Sequence, residues 1–512
     1  MKQTCAVIGS GIGGISSAIR LAKKGYKVTV FEQSPKAGGK ISEIRLDAFR
    51  FDTGPSLFTL PELVDELFVL CGKNPRDYFN YVPLEASCKY FWPDGTHVTA
   101  WSDTHRFANE LHEKTGVESS TTLRFLDKCR TLYDLTADVF MFNSFHRPAN
   151  FLKPAYRRSL VNLHKLDAFT TMHRRNKKWF RHPKIVQLFD RYATYNGSSP
   201  YKTPATLNVI AHLEHNLGAW FPAKGMYDIV ASLSKLAEEM KVEFRFNSKV
   251  EEIIFDDSPY TSSPPPSHNK RHKKWWPFDG GKKVTGLIVD GEILPYDLVV
   301  SDVDVAKLYK HLLPGETIPA RQLKQERSSS ALIFYWGIHN HFDKLGLHNI
   351  LFADDYKKEF DHLFDTKSIT PDPTIYIFIS SKAVTTDAPK GAENWYVMIN
   401  VPENIGQDWD ALVKEARTNI IRKINRMFET DIEQHIVTEA MADPRSIEKD
   451  TASTNGSLYG LSSNGMFAAF NRHPNFKKKL KNLYFAGGSV HPGGGIPLCL
   501  ASAKIVDQEI TV

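Results

Sequence analysis

Cysteine is scarce in this chain. Its 512 residues hold five, namely Cys5, Cys71, Cys88, Cys129 and Cys499. They form no C-x-x-C or other close pair, which excludes a dithiol redox centre and a disulfide framework and points to a reducing, cytoplasmic setting. No run of roughly eighteen apolar residues occurs, so nothing reads as a membrane span. The first apolar run is short and broken by glycines, unlike a secretory signal. Internal repeats and metal-ligand spacings are absent too. Charge is nearly balanced, with 65 Lys and Arg against 58 Asp and Glu for a net +7. With no recognition motif beside the basic runs, nucleic-acid binding is not expected.

A hydrophobic content of 42% is enough for a large core, and alternating strand and helix patterns predict two interleaved domains. The chain opens on Ala6-Val7-Ile8-Gly9-Ser10-Gly11-Ile12-Gly13-Gly14, a strand, a glycine turn and a helix start. Gly9 permits the turn, Gly11 lets backbone approach a pyrophosphate, and Gly14 allows the helix to pack closely on the strand. The helix amino terminus adds partial positive charge. The second strand, Lys27 to Phe31, ends in Glu32, placed to accept hydrogen bonds from a ribose 2′-hydroxyl and so favouring an unphosphorylated ribose. Next come Gly38-Gly39-Lys40 and Asp52-Thr53-Gly54-Pro55, a pairing that resembles the glutathione-reductase-type FAD fold. Backbone donors and one cation there would meet the same pyrophosphate. Without a cysteine pair, the flavin must act directly on substrate.

Two basic, aromatic stretches suit an anionic membrane surface: Arg174 to Arg181 with Trp179, and the insert 257–283 with Trp275, Trp276 and Phe278. Cations seek phospholipid head groups while the aromatic rings partition beneath them. Each stretch has a plainer reading, a solvated loop or, for the first, a helix that turns Trp179 into the core. The patterning predicts a cofactor part from residues 1–72, 218–306 (which contains the insert) and 455–512. A substrate part falls in 73–217 and 307–454. In the second cofactor piece, a helix from Tyr227 to Met240 precedes strands at Val242 to Phe246 and Lys249 to Phe255, and Asp290-Gly291 marks a hairpin turn. The runs Ser330 to Ile338, Thr374 to Ser380 and Trp395 to Val401 predict an antiparallel sheet in the substrate part. Val139 to Phe142 and Phe145 either line the mouth of its cavity or are plain core.

Near the other end, a strand from Leu483 to Ala486 runs into Gly487-Gly488-Ser489-Val490-His491-Pro492-Gly493-Gly494-Gly495-Ile496-Pro497, and a last helix from Leu498 to Glu509 follows. A helix amino terminus aimed at a flavin's pyrimidine edge stabilises negative charge on the reduced ring. The cofactor site read from the sequence is therefore Gly9, Gly11, Gly14, Glu32, Gly39, Lys40, Gly54, Pro55, Val250 at the head of its strand, Gly487, Gly488, Gly495 and Ile496. His491, Glu214, His212 and His215 are candidate bases by residue type, and none is singled out as catalytic.

With Gly54-Pro55-Ser56, Phe221 to Met226, Ser301 to Asp304 and His491 to Pro497 in place, the chain resembles the bacterial and fungal phytoene-desaturase-type carotenoid desaturases over nearly its whole length. Asn455 to Ser463 and Ala486 to Pro492 are most similar to the branch that introduces a 3,4 double bond into 1-hydroxylated carotenoids. The resemblance implies FAD, a carotenoid substrate, and loss of two hydrogens from adjacent carbons with one passing to flavin as hydride. It leaves the electron acceptor open between oxygen and a quinone. Gly488 stands where many FAD oxidoreductases of this fold carry an acid, which implies a backbone contact to flavin. The fold expected is α/β, a glutathione-reductase-type FAD-binding Rossmann fold with an interleaved α+β substrate domain. Alternatives are a phytoene- or lycopene-forming desaturase, an amine or small-molecule oxidase, and a non-redox prenyl-binding escort protein. The long insert is a departure from the branch.

Overall fold

The computed structural model describes residues 2–256 and 281–511. Most of the insert, with Trp275, Trp276 and Phe278, lies outside them. Two large sheets organise the chain. The first has a parallel centre in which Glu243–Arg245, Lys27–Phe31, Thr4–Ile8, Leu298–Ser301 and Leu480–Phe485 lie side by side. These strands read Val-Ile-Phe-rich because helices cover the centre of a parallel sheet. At its edge Lys282–Val289 pairs with Val250–Asp256 and Glu292–Pro295 in an antiparallel meander. The Asp290-Gly291 turn has φ +50° and +79°, the left-handed pair that a two-residue hairpin demands.

Register matters more for function than strand count. Ile8 pairs with Phe31 and with Ser301, and Ser301 pairs with Phe485. Four strands drawn from distant parts of the sequence thus end level with one another. Gly9, Glu32, Asp302 and the Ala486-Gly487 turn all emerge at one edge, the carboxyl ends where α/β sheets bind ligands. The glycine helix, Ile12–Lys23, buries Ile12, Ile15, Ala18 and Ile19 and packs against the last helix, Ile496–Glu509.

The second sheet runs Ile436–Ala442, Ser330–Ile338, Glu393–Val401, Ile375–Ile379, His348–Leu351, Ala86–Phe91 and His97–Trp101. Its pairs are antiparallel except His348–Leu351 with Ala86–Phe91, which is parallel. Sequence patterning had not connected the Ala86 to Trp101 hairpin with that sheet, because pairing across such separation leaves no local signal. One face packs on the Trp409–Phe428 helix through Trp336, Trp395, Ile420 and Ile424. The other faces a cavity. Helices Thr104–Thr115, Ser119–Thr136, Met172–Phe180 and Pro183–Asp190 close the remaining side. In the basic helix Met172–Phe180, Trp179 stands edge-on to Phe125 with centroids 5.8 Å apart, so it packs on the core.

Candidate functional site

One continuous cavity of about 1270 Å³ runs from the carboxyl ends of the parallel sheet to the face of the antiparallel one. That exceeds the roughly 300–1,000 Å³ of a pocket for a single drug-sized ligand. Its first end is built of backbone. An added Cβ at Gly14 would land on the Gly9 carbonyl oxygen, which is why helix and strand approach so closely there. Gly38 N donates to Ser10 O at 2.9 Å, which lays the Gly38-Gly39-Lys40 loop over the glycine turn. A Cβ on Gly39 would stand 3.5 Å from Gly11 Cα. Two glycine loops therefore face each other across a narrow, donor-rich cleft at a helix amino terminus, and an anion of pyrophosphate shape fits it.

Glu32 is buried in that wall. Its Oε2 accepts from Ser10 N and Ser10 Oγ, both at 2.8 Å, and its Oε1 from Ser34 N at 2.9 Å. A carboxylate has about four acceptor positions, so one remains for a ribose hydroxyl. Lys40 Nζ donates to the carbonyls of Ser457 at 3.2 Å and Leu458 at 2.6 Å, leaving its third proton. Burial lowers its pKa, and Asp304, Cys499 and Asp302 oppose that shift. Of the other residues read from the sequence, Gly9, Gly11, Gly39, Gly54, Pro55, Val250, Gly488, Gly495 and Ile496 also border the cavity. Gly14 and Gly487 are not among its lining residues. Gly14 donates its N–H to Asp302 Oδ2 at 2.9 Å, and an added Cβ on Gly487 would meet the same carboxylate.

Asp302 is what sequence reasoning missed. It enters only within the Ser301-to-Asp304 motif, yet its carboxylate lies in the glycine nest, where a Cβ on Gly11 would come within 2.5 Å of Oδ2. Burial pushes its pKa up to about 7, Glu32 adds to the rise, and the Gly14 N–H and Lys40 oppose it. An acid at the end of a parallel strand level with Gly9 was the available signal, but only the register reveals it. Asp52 explains two further motifs. It accepts from Met226 N and Tyr227 N, both at 3.0 Å, and pairs with Arg50 at 2.8 Å, tying the Asp52 and Phe221-to-Met226 segments into one brace.

Beyond the cradle the walls change character. Ile333, Met398, Tyr396, Leu213 and Ile350 make an apolar channel, interrupted by a buried polar cluster around Glu214. Glu214, 1% exposed, accepts from Ser87 Oγ at 2.9 Å, Tyr192 OH at 3.0 Å and Tyr195 OH at 2.6 Å, with Arg191 Nη2 at 3.5 Å. Despite burial, these partners hold its pKa below the ordinary value, Arg191 most of all. His215 donates to or accepts from Tyr192 OH at 2.7 Å, and burial pushes it down to about 4. His212 bonds Asn216 at 2.8 Å, and His491 Nε2 lies 2.9 Å from Asn143 O. Of the candidate bases only Glu214 borders the cavity, and it is already engaged.

Val139, Phe140, Met141 and Phe145 line the cavity, where a widened turn, Ala137–Met141, ends the long helix Ser119–Thr136. The outer rim is formed by Phe151, Leu160, Leu163 and Phe169, all exposed large apolar residues that also line the cavity.

A family model described as flavin containing amine oxidoreductase matches residues 12–511. The chain is 46% identical over 504 residues to a 1-hydroxycarotenoid 3,4-desaturase of Flavobacterium sp. (strain P99-3), covering 98% of each. It is 31% identical to a 4,4'-diapolycopene oxygenase of Methylomonas sp, covering 99% of this chain and 98% of that one. Among solved structures it is similar to a putrescine oxidase with putrescine bound, at a TM-score of 0.61 and 12% identity, covering 99% of both chains. A likeness at that identity concerns the fold alone.

Proposed function

The chain belongs to the flavin-containing amine oxidoreductase family, and from that premise we propose that it is an FAD-dependent desaturase that introduces the C-3,4 double bond into a 1-hydroxylated carotenoid. The observation that carries the reading is the single cavity that joins a dinucleotide cradle to a long apolar channel. The substrate of the 46% identical relative is an elongated molecule of that kind. We assign FAD to Gly9, Gly11, Gly14, Glu32, Gly39, Lys40, Gly54, Pro55, Val250, Gly487, Gly488, Gly495 and Ile496. Residues 1–72, 218–306 and 455–512 make the cofactor part, and 73–217 and 307–454 the substrate part.

When bound, FAD supplies the hydride acceptor. The protein supplies position and dryness. The two glycine loops and Lys40 fix the pyrophosphate, Glu32 takes the ribose, and the apolar walls hold a polyene and exclude water. Loss of hydride beside a conjugated chain spreads positive charge along it, so the companion proton is acidic and needs only a weak base. That agrees with a site in which Glu214, the one candidate base that borders the cavity, is already engaged by Ser87, Tyr192 and Tyr195.

Holoenzyme supplied with a 1-hydroxylated, already conjugated carotenoid should give a product lighter by two hydrogens. Conversion of phytoene with no action on the hydroxylated carotenoid would replace this reading by the phytoene-desaturase one. A product heavier by oxygen would replace it by an oxygenase one.

The substrate arrives from lipid, and the cavity rim meets an anionic membrane surface. Leu152, Val161 and Phe169 are 72%, 77% and 76% exposed, beside exposed Lys153, Arg157, Arg158 and Lys165. Apolar insertion and about 1 kcal/mol per cation near acidic lipid would act together. Among the described residues no helix is long and apolar enough to cross a membrane. Arg157→Gln with Arg158→Gln should lower binding to phosphatidylserine vesicles and make it less salt-sensitive, while detergent-dispersed substrate turns over as before. Unchanged vesicle binding would remove this rim from the account.

A further inference from the structure

A line of polar groups starts beside the proposed flavin segment and ends on an atom without a partner. Ser56, the residue after Pro55, bonds through Oγ to the Tyr376 hydroxyl at 2.5 Å, and that hydroxyl bonds His348 Nδ1 at 2.7 Å. His348 is 3% exposed and stacks on Phe378 with centroids 5.2 Å apart. Burial pushes its pKa down to about 3, so the ring is neutral. All three polar residues border the cavity, yet His348 Nε2 is buried with no hydrogen-bond partner. Such an atom costs about 1–3 kcal/mol, and native structures rarely leave one unsatisfied.

The surroundings define what it takes. Glu214 and Arg191 neutralise each other at 3.5 Å, and the carboxylate is closed by Ser87, Tyr192 and Tyr195. The Glu214–Arg191 pair thus carries no net charge, and the adjoining walls are Ile350, Ile333 and Met398. A neutral imidazole nitrogen among apolar walls matches a neutral hydroxyl, which serves as donor or acceptor.

We propose that His348, oriented by Tyr376 and Ser56, docks the terminal hydroxyl of the substrate and so selects hydroxylated polyenes over hydrocarbon ones. This deepens the functional reading above and rests on it. In a 1-hydroxylated end group the hydroxyl-bearing carbon is two bonds from C3, so its anchor must lie beside the segment that holds the flavin. Ser56 directly follows Gly54 and Pro55, which are assigned to that segment. Only the alcohol gives Nε2 a partner, whereas a hydrocarbon end leaves it as it stands in the free protein, and that difference favours the alcohol.

The test compares holoenzyme kcat/KM for a 1-hydroxylated carotenoid and for the hydrocarbon otherwise identical to it, in wild type, His348→Leu and Tyr376→Phe. Wild type should favour the alcohol by at least about tenfold. Both variants should bring the ratio towards one, chiefly by losing the alcohol, with flavin content and melting temperature reporting an intact fold. If His348→Leu does not fold, Tyr376→Phe decides, since it removes a single oxygen. Variants that keep the wild-type ratio overturn the proposal and leave the desaturase reading standing. A wild type that ignores the alcohol and converts phytoene overturns both.

Discussion

The two ends of one cavity are built by different rules. At the cradle the walls are largely backbone, with Glu32 and Lys40 beside the two glycine loops, and a Cβ at Gly14 has nowhere to go. At the far end contact falls to side chains. Arg191 and Tyr195 on one short helix bond each other and Glu214 on another, and His348 and Tyr376 meet across neighbouring strands. A backbone site tolerates almost no added atom. A side-chain site tolerates changes of shape but not the loss of one partner, because what remains is a buried polar group with nothing to bond.

The largest effect should therefore come from the smallest substitution. Gly14→Ala puts a methyl group onto the Gly9 carbonyl and should weaken FAD binding by at least about a hundredfold, roughly 3 kcal/mol. Flavin absorbance of the purified protein and titration of the apoprotein measure it. Full flavin content in a folded Gly14→Ala protein would erase the distinction between the two ends.

Next comes Arg191→Leu. It leaves Glu214 buried without its cation, a change that costs about 3–5 kcal/mol in comparable pairs. Denaturant unfolding should show the loss, while protein that stays folded should keep its FAD, since Arg191 does not touch the cradle. Loss of flavin with no loss of stability would mean that the two ends are one coupled unit.

The third effect is graded with pH and concerns Asp302, the one acid in the glycine nest. Glu32, Lys40 and Cys499 are the titratable groups that interact with it. Its pKa rises from 3.8 to about 7 on folding. The stability that goes with its bound proton is fully present below the unfolded value and is lost as pH rises through about 7. A pyrophosphate at the same helix end disfavours the charged form further, so FAD binding takes up a proton. Affinity should then fall as pH rises above 7, towards a limit of about tenfold per unit, and Asp302→Asn should flatten the profile. Titration of apoprotein with FAD between pH 6 and 9 reads this directly. A flat wild-type profile would show that Asp302 does not change its protonation when FAD binds.

The same contrast explains how much could be read from the sequence. The glycine turn, Glu32, the second glycine loop and the closing glycine run were visible because a backbone site needs specific residue types at fixed short spacings. The Asp290-Gly291 hairpin was visible for the same reason. His348 was not. It stands in a short buried strand, His348–Leu351, and an isolated histidine in such a run reads as core. Tyr376 likewise looks like any aromatic in a buried strand. The basic stretch around Trp179 carried two readings, and packing against Phe125 chose the core for the tryptophan.

The sequence by itself determined the cofactor class and the α/β character, because these rest on local geometry that glycine spacing and strand-helix alternation dictate, while the family entered as a resemblance carried by its motifs. Tertiary structure alone decided which residues meet. The level ends of four parallel strands bring Asp302 to Gly14 across 288 positions, and the second sheet brings Tyr376 to Ser56 across 320. Long-range pairing of this kind is set by the packing of whole faces, through burial and register, and no stretch of neighbouring residues encodes it.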